Sequence, residues 1–324
     1  MKTLGRALIA VLALLVVGGV APAAHADPFV VGDIFASTGS GNIQHRNSAG
    51  VLLETLNNGS GGFTTGSAFD STGNLYLTNF SSNTVTRFAG PGDPHTSSLF
   101  GSGYSTPESI VFAADGHVLV GSIGGGIREF DAAGNFVKTI AAGVRVDWFD
   151  LAADQDTILF TQELGQVRTA SRSTGAVGAN FSNAGGVFAL RILPGSGVLV
   201  ANSTNVLRLD AGGNITQTYD VAGVNDFFAL NLHPDGTSFF TGAISNGTLY
   251  RFDIESGAQS DIFNTGCGSG CLFGVSIFGE ITVGNPPPDL NPVPEPATLL
   301  LLGTSLAGIA GAAWKRRKGV TAKQ

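Results

Sequence analysis

Short apolar runs and polar turns alternate through most of this chain. An apolar run, a turn containing glycine or aspartate and a second apolar run span Ser67–Leu77, and the pattern returns at Ser109–Val120. Runs of this length, bounded by turn residues, predict β-strands joined as hairpins. Three further copies span Phe149–Phe160, Ala189–Val200 and Ala229–Phe240.

The copies recur at a nearly constant interval. The apolar residues that end the first strand of each copy are Phe69, Phe112, Leu151, Ile192 and Leu232, at spacings of 43, 39, 41 and 40 residues. A sixth match, Gly274–Ile277, follows Leu232. A second hairpin turn lies later in the units, as at Asp131–Asn135 and Asp210–Asn214. Units of about 40 residues with four strands are typical of β-propeller blades, so the sequence predicts an all-β propeller.

The two ends of the repeat region predict how the ring closes. Strands expected at Val31–Phe35, Asn42–Arg46 and Val51–Leu56 have no inner strand before them, and the last unit has an inner strand near Phe273–Phe278 with nothing after it. One blade shared by both ends would use all four strands and leave no long free edge. We therefore expect six blades within a propeller domain at residues 27–284.

The N-terminus has the three parts of an export signal. Lys2 and Arg6 precede an apolar run at 7–20, and Ala24 and Ala26 fit an A-x-A cleavage site. This order predicts a secretory signal peptide at residues 1–26. An uncleaved anchor is the alternative, although the apolar run is short for a membrane span.

The C-terminus has the order of a membrane stop-transfer segment. A proline-rich linker at 285–292 cannot join a sheet. An apolar stretch at 297–314 follows, just long enough to cross a bilayer, and a short tail at 319–324 ends the chain. The basic cluster between them would hold that tail in the cytoplasm; it consists of Lys315, Arg316, Arg317 and Lys318.

Residues 293–318 resemble the PEP-CTERM sorting signal of Gram-negative bacteria. Pro294, Glu295 and Pro296 come before the apolar stretch and the basic cluster, in the order of that signal. The resemblance implies export, transient anchoring in the cytoplasmic membrane, processing by an exosortase (a membrane transpeptidase) and a final place on the outer surface or in the extracellular matrix. It also implies an association with exopolysaccharide and biofilm. A plain C-terminal anchor is the alternative.

Charge and cysteine content fit an exported body. Residues 27–292 hold 10 basic and 23 acidic residues, which argues against binding nucleic acid through phosphate contacts. Cys267 and Cys271 flank three small residues, and an oxidising compartment favours a disulfide between them. Two thiols are only half of a zinc shell, so a metal site is the poorer interpretation.

Candidate chemistry is restricted to one end of the expected channel. The body resembles six-bladed propellers of the NHL and related families, with Asp-x-x-Gly-Asn turns such as Asp70–Asn74. Lactonase-like propellers hold a divalent metal at the channel mouth, and that similarity implies a metal such as calcium at Glu108, Asp147 and Asp226. The four-before-anchor positions at the mouth are Thr65, Glu108, Asp147, Phe188, Phe228 and Phe273.

Two functions follow from these patterns. The first is a binding or scaffolding module whose partner is an extracellular polysaccharide or matrix protein. The second is a metal-dependent hydrolase or lyase acting at the channel mouth. Half of the mouth positions are phenylalanine, and no Gly-x-Ser-x-Gly elbow or P-loop accompanies them. The sequence therefore favours the binding module.

Overall fold

The computed structural model describes residues 26–90, 95–163, 165–195 and 197–282, and within them the chain forms six four-stranded antiparallel sheets. Each sheet is one blade, and its innermost strand packs against the innermost strands of the neighbouring blades, which closes a ring. Blades 1 to 3 contain β1 (Ile34–Ser37), β2 (Asn42–Arg46), β3 (Leu52–Asn57), β4 (Thr64–Phe69), β5 (Leu75–Asn79), β6 (Thr84–Phe88), β7 (Ser97–Leu99), β8 (Pro107–Phe112), β9 (Val118–Ser122), β10 (Gly126–Phe130) and β11 (Phe136–Ile140).

The remaining strands complete blades 4 to 6 and return to blade 1. They are β12 (Phe149–Leu151), β13 (Thr157–Gln162), β14 (Gln166–Ser171), β15 (Val177–Ser182), β16 (Val187–Ile192), β17 (Val198–Asn202), β18 (Val206–Leu209), β19 (Ile215–Tyr219), β20 (Phe227–Leu232), β21 (Ser238–Ala243), β22 (Thr248–Asp253), β23 (Gln259–Asn264) and β24 (Gly274–Ile277).

Blade 1 contains strands from both ends of the repeat region. β24 pairs antiparallel with β1, with Gly274 opposite Ser37 and Ile277 opposite Ile34, and β2 and β3 follow outward. The six-bladed all-β propeller with a shared closing blade is therefore confirmed. β1 begins three residues later than the sequence predicts, because Val30 and Asp33 form a turn with Gly32 at a φ of +90°.

The burial of each strand follows its place in the blade. The second strands, such as β5 and β9, are buried at every position because neighbouring blades cover both of their faces. The fourth strands, such as β11 and β23, are mostly exposed or half-buried and mix polar with apolar residues. An apolar run therefore marks a strand inside the ring, and a mixed run marks the rim.

Aspartates fix the outer hairpins. Asp131 Oδ1 accepts hydrogen bonds from the backbone N–H groups of Ala133 and Asn135, and Gly134 takes a φ of +87°. Asp210 makes the same bonds to Gly212 and Asn214. This side-chain bonding and the positive φ of glycine are what a tight turn requires.

Aromatic packing seals the closing blade against blade 2. The rings of Phe35 and Phe69 lie 5.1 Å apart and those of Phe69 and Phe278 lie 4.9 Å apart, all buried. Phe29, which precedes β1, contacts Phe35 edge to face at 4.7 Å. Each buried ring contributes roughly 1.5–3 kcal/mol by leaving water, so the ends of the repeat region are held by packing as well as by strand pairing.

Candidate functional site

The inner strands all begin at one end of the channel, which we call the mouth. Four of them, β4, β8, β16 and β20, carry a register irregularity near this end. A bulge turns a side chain away from the regular alternation of the strand. In these four strands the irregularity spans the residue four positions before the anchor, such as Glu108 on β8.

One half of the mouth is aromatic. Phe188, Phe228 and Phe273 come from blades 5, 6 and 1, and Phe63, in the loop before β4, joins them; we call these four the aromatic arc. Ring centroids lie 5.2 Å apart for Phe188 and Phe228, 6.1 Å for Phe228 and Phe273, and 4.3 Å for Phe63 and Phe273. Phe63 is 43% exposed, so the arc presents an apolar ring face to solvent.

The opposite half is acidic. Glu108 of blade 3 and Asp147 of blade 4 meet Glu163, in the loop after β13, with carboxylate oxygens all within 4.8 Å of one another. We call these three residues the acid cluster. Glu108 and Asp147 are buried, and Glu163 is half-buried. Three carboxyl groups this close cannot all be ionised without a counter-charge.

Arg145 supplies that counter-charge. Its Nε donates to both oxygens of Asp147, at 2.7 and 2.9 Å, and its Nη2 pairs with Glu163. The hydrogen bond to Asp147 raises the pKa of Arg145 further. The backbone N–H of Glu163 also donates to Asp147, at 3.0 Å. Asp147 is thereby held as a hydrogen-bond acceptor by Arg145 and by the backbone of Glu163.

Glu108 has the opposite environment. Burial, and then the adjacent charge of Asp147, raise its pKa well above the usual value. Its Oε2 is buried and has no hydrogen-bond partner among the described residues. A carboxyl group whose pKa is raised therefore lies beside one that is paired with an arginine, and such differing environments separate acid and base roles in a carboxyl pair.

The structure brings together only two of the three acids that the sequence placed in a metal site. Glu108 and Asp147 meet, whereas Asp226, an exposed residue with a φ of +59°, is not part of the group. Glu163 was missed because it lies in the turn between β13 and β14, which the strand repeat does not align with the mouth. The order around the ring also places three phenylalanines side by side.

A metal ion fits this donor set poorly. Calcium takes six or more oxygens, and here the guanidinium of Arg145 already occupies two of the three carboxylates. A second group of suitable ligands, Asp115, His117 and Glu129, is bound by Arg172 in the same way, with Nη2 2.6 Å from Asp115 and 2.7 Å from Glu129.

The other end of the channel is closed by a buried ionic network. Arg191 donates from Nε to Glu280 at 2.8 Å and from Nη2 to Asn231 at 2.6 Å. Asp150 accepts from the backbone N–H groups of Leu151 and Ile192. Asp150, Arg191 and Glu280 line a cavity of about 30 Å³ there, so Asp150 belongs to this floor and not to the mouth.

Cys267 and Cys271 lie side by side in the loop that leads to Phe273. Their Cα atoms are 6.0 Å apart, which is within the range of a disulfide. If the two thiols are oxidised, their disulfide closes a short loop of chain just before Phe273 of the aromatic arc.

Most residues of the two sorting signals lie outside the described residues. They include the signal peptide with Ala24, the linker at 285–292, Pro294, Glu295 and Pro296, the basic cluster and the tail at 319–324; Ala26 is the first described residue. In the part of the chain that the structure describes, no helix is long and apolar enough to cross a membrane.

Comparison with known proteins identifies the C-terminal segment. Residues 292–318 match the PEP-CTERM protein-sorting motif. The chain carries a PEP-CTERM sorting signal. PEP-CTERM segments are exosortase substrates, so the chain is exported and sorted through the membrane.

Similarity to solved structures is confined to the fold. The WD40 propeller domain of Doa1 aligns with a TM-score of 0.56 at 15% identity, over 76% of this chain and 82% of that one. Hydrazine synthase of Kuenenia stuttgartiensis aligns with a TM-score of 0.50 at 13% identity, over 60% of this chain and 64% of that one, just under two thirds. No curated protein matches the chain.

Proposed function

We propose that this PEP-CTERM protein is a binding module of the extracellular matrix, and that the channel mouth binds a polysaccharide. The aromatic arc is the observation that carries the proposal. Aromatic faces offer an apolar, rigid surface, and the C–H face of a sugar ring can stack on it. Ligand sites commonly combine such a surface with a few polar groups, which the partly exposed side chains of Arg145 and Glu163 supply here.

The surroundings of the mouth support a sugar ligand. The loops that meet there are rich in small polar residues, as at Asn57–Gly62, Ser81–Asn83 and Ser203–Asn205. Amide and hydroxyl groups of this kind can donate to and accept from sugar hydroxyls. The sorting signal supports the proposal because it exports the chain, which an extracellular ligand requires.

Substitution in the arc tests the proposal. Purified full-length chain is run in native gels with and without extracellular polysaccharide from its own host. We expect retardation for the wild type and its loss for Phe228→Ala and Phe273→Ala. Ile215→Ala, which removes a half-exposed apolar side chain from β19 at the rim, is the control. Equal retardation of all four proteins would reject the mouth as the site.

The acid cluster gives a second candidate, a hydrolase or lyase acting on the bound polymer. Its supporting observation is Glu108, whose pKa burial raises, beside Asp147, which Arg145 pairs. Two features weaken it: both acids are buried, and Arg145 occupies the position that a metal would need. Polymer cleavage by the wild type that is lost in Glu108→Gln would establish this activity, and elemental analysis would show whether calcium or another divalent metal accompanies it.

A further inference from the structure

A regular feature of the blades leads to a second pocket. The third strand of every blade carries one arginine, at spacings of 40 to 43 residues: Arg46, Arg87, Arg128, Arg168, Arg208 and Arg251. Most of their guanidinium groups are engaged; Arg251 bonds Asp235 and Asp261, Arg208 bonds Glu255, and Arg168 bonds the carbonyl of Gly178.

Arg128 differs from these. Its guanidinium lies 4.1 Å from the ring centroid of Phe136 and makes no hydrogen bond to any described residue. Its Nε is buried without a partner, a feature that Arg87 and Arg168 share, but Arg128 also lines a pocket together with Ser122. A guanidinium carries five donors, and burying one without an acceptor costs free energy. The unused donors of Arg128 therefore favour an acceptor that comes from outside the chain.

The same pocket contains a second unpaired donor. Ser122 is 2% exposed and its hydroxyl has no partner. In the register of β9 and β10, Ser122 pairs with Gly126 and Val120 pairs with Arg128. Paired residues point to the same face of a sheet, so Ser122 and Arg128 share a face.

Glycines keep this pocket open. The pocket has a volume of about 190 Å³ and is lined by Gly103, Ser105, Ser122, Gly124, Gly125 and Arg128. A Cβ on Gly124 would lie 2.2 Å from the Ser105 hydroxyl, and one on Gly103 would lie 3.1 Å from Arg128. At about 30 Å³ for each water molecule, the pocket has room for an anionic group and part of the molecule that carries it.

We propose that this pocket binds an oxyanion, and that its source is the carboxylate of an acidic sugar unit in the polysaccharide held at the mouth. Arg128 would pair with the anion in the planar geometry that guanidinium and carboxylate share, and the hydroxyls of Ser122 and Ser105 would donate to it. The position fits one continuous ligand, because the backbone carbonyl of Ser122 accepts from Val146, next to Asp147 of the mouth. The choice of source rests on the proposed function, whereas the oxyanion pocket does not.

Anion binding by the full-length chain tests the oxyanion pocket. The protein is kept in a polyoxyethylene detergent, which has no sugar head group that could compete with the sugar probes. The probes for calorimetry are a uronic acid oligosaccharide, its carboxyl-reduced neutral form and sodium sulfate. We expect the uronide to bind, the neutral form to bind at least about tenfold more weakly, and sulfate to compete. Arg128→Gln should lose the difference between the two sugars, and Ser122→Ala should reduce it. Arg168→Gln, the matched third-strand arginine over Phe160, should keep it.

The outcomes separate the two proposals. Sulfate binding that Arg128→Gln abolishes, without uronide binding, would support the pocket and reject the sugar as its source. Failure of both anions to bind the wild type, or equal behaviour of Arg128→Gln and Arg168→Gln, would overturn the pocket. Loss of polysaccharide retardation in Phe228→Ala with anion binding intact would concern the mouth alone.

Discussion

Removal of Arg191 is expected to destabilise the propeller strongly. Arg191→Met keeps much of the side-chain volume but deletes the cation that lies between Glu280 and Asn231, 2.8 and 2.6 Å from its nitrogens. Arg191 is 2% exposed and Asp150 is 1% exposed. The variant therefore leaves two buried carboxyl groups without a counter-charge.

The size of the effect follows from that burial. Deleting one partner of a buried ionic network costs about 3–5 kcal/mol. For a domain of about 250 residues each kcal/mol lowers Tm by roughly 2 °C, so we expect Tm at pH 7 to fall by about 6–10 °C. Arg208→Met is the control, because its partner Glu255 is 77% exposed and a surface pair contributes little.

The way in which the Tm deficit of Arg191→Met changes with pH provides a second test. Burial raises the folded-state pKa of Glu280 and Asp150, and Arg191 opposes that rise. Without Arg191 the two pKa values rise further, and an acid whose folded pKa exceeds its unfolded value loses stability as pH increases between the two. The deficit of Arg191→Met should therefore shrink as pH falls from 7 towards 4, where both acids are protonated. Circular dichroism melts across this range measure it. A Tm change no larger than that of Arg208→Met, or a deficit that grows towards acid pH, would refute the reasoning.

Three further results are expected. Glu108→Gln mimics the protonated acid; since burial and Asp147 raise the pKa of Glu108, wild-type Tm should fall as pH rises above about 4.5, relative to the variant, and parallel pH profiles would contradict this. His45 lies between Asp33 and Glu54, each 3.0 Å away, and His95 also contacts Glu54. Burial lowers the pKa of His45, but the two hydrogen bonds outweigh burial and raise it overall. The stabilising effect of His45 should therefore be present below about pH 6.5 and lost as pH rises through the folded pKa, and His45→Gln should not show this loss in the same melts. We propose a disulfide between Cys267 and Cys271, which closes a short loop and should contribute roughly 2 kcal/mol; thiol labelling of the unfolded, unreduced protein should find no free thiol, and two labelled cysteines would reject the bond.

The repeat made the architecture predictable. Each strand–turn–strand copy, such as Ser67–Leu77, corresponds to the two inner strands of a blade, because those strands are buried on both faces. The incomplete first and last units predict the blade that the two ends share. Boundaries were less predictable where a turn replaced an apolar run, as at Gly32 before β1.

The site could be predicted only in part, because it depends on contacts between units. Glu108 and Asp147 occupy equivalent positions in adjacent blades, so the alignment places them together. Glu163 and Arg145 reach them from loops whose paths the repeat does not fix. Asp226 is close in sequence to the same position but takes a left-handed backbone conformation that leaves it exposed. The unused donors of Arg128 follow from what its neighbours lack, which no pattern in the sequence records.

Hydrogen–deuterium exchange on the full-length chain, with and without its host's extracellular polysaccharide, tests the central claim most directly. If the mouth binds the polymer, protection should include the loops that carry the arc, residues 58–63, 183–188, 222–228 and 265–273. The hairpin turns at 131–135 and 210–214, which lie at the opposite ends of their strands, should exchange unchanged. Protection of those turns instead, or of neither set, would contradict the account of this chain as a polysaccharide-binding propeller.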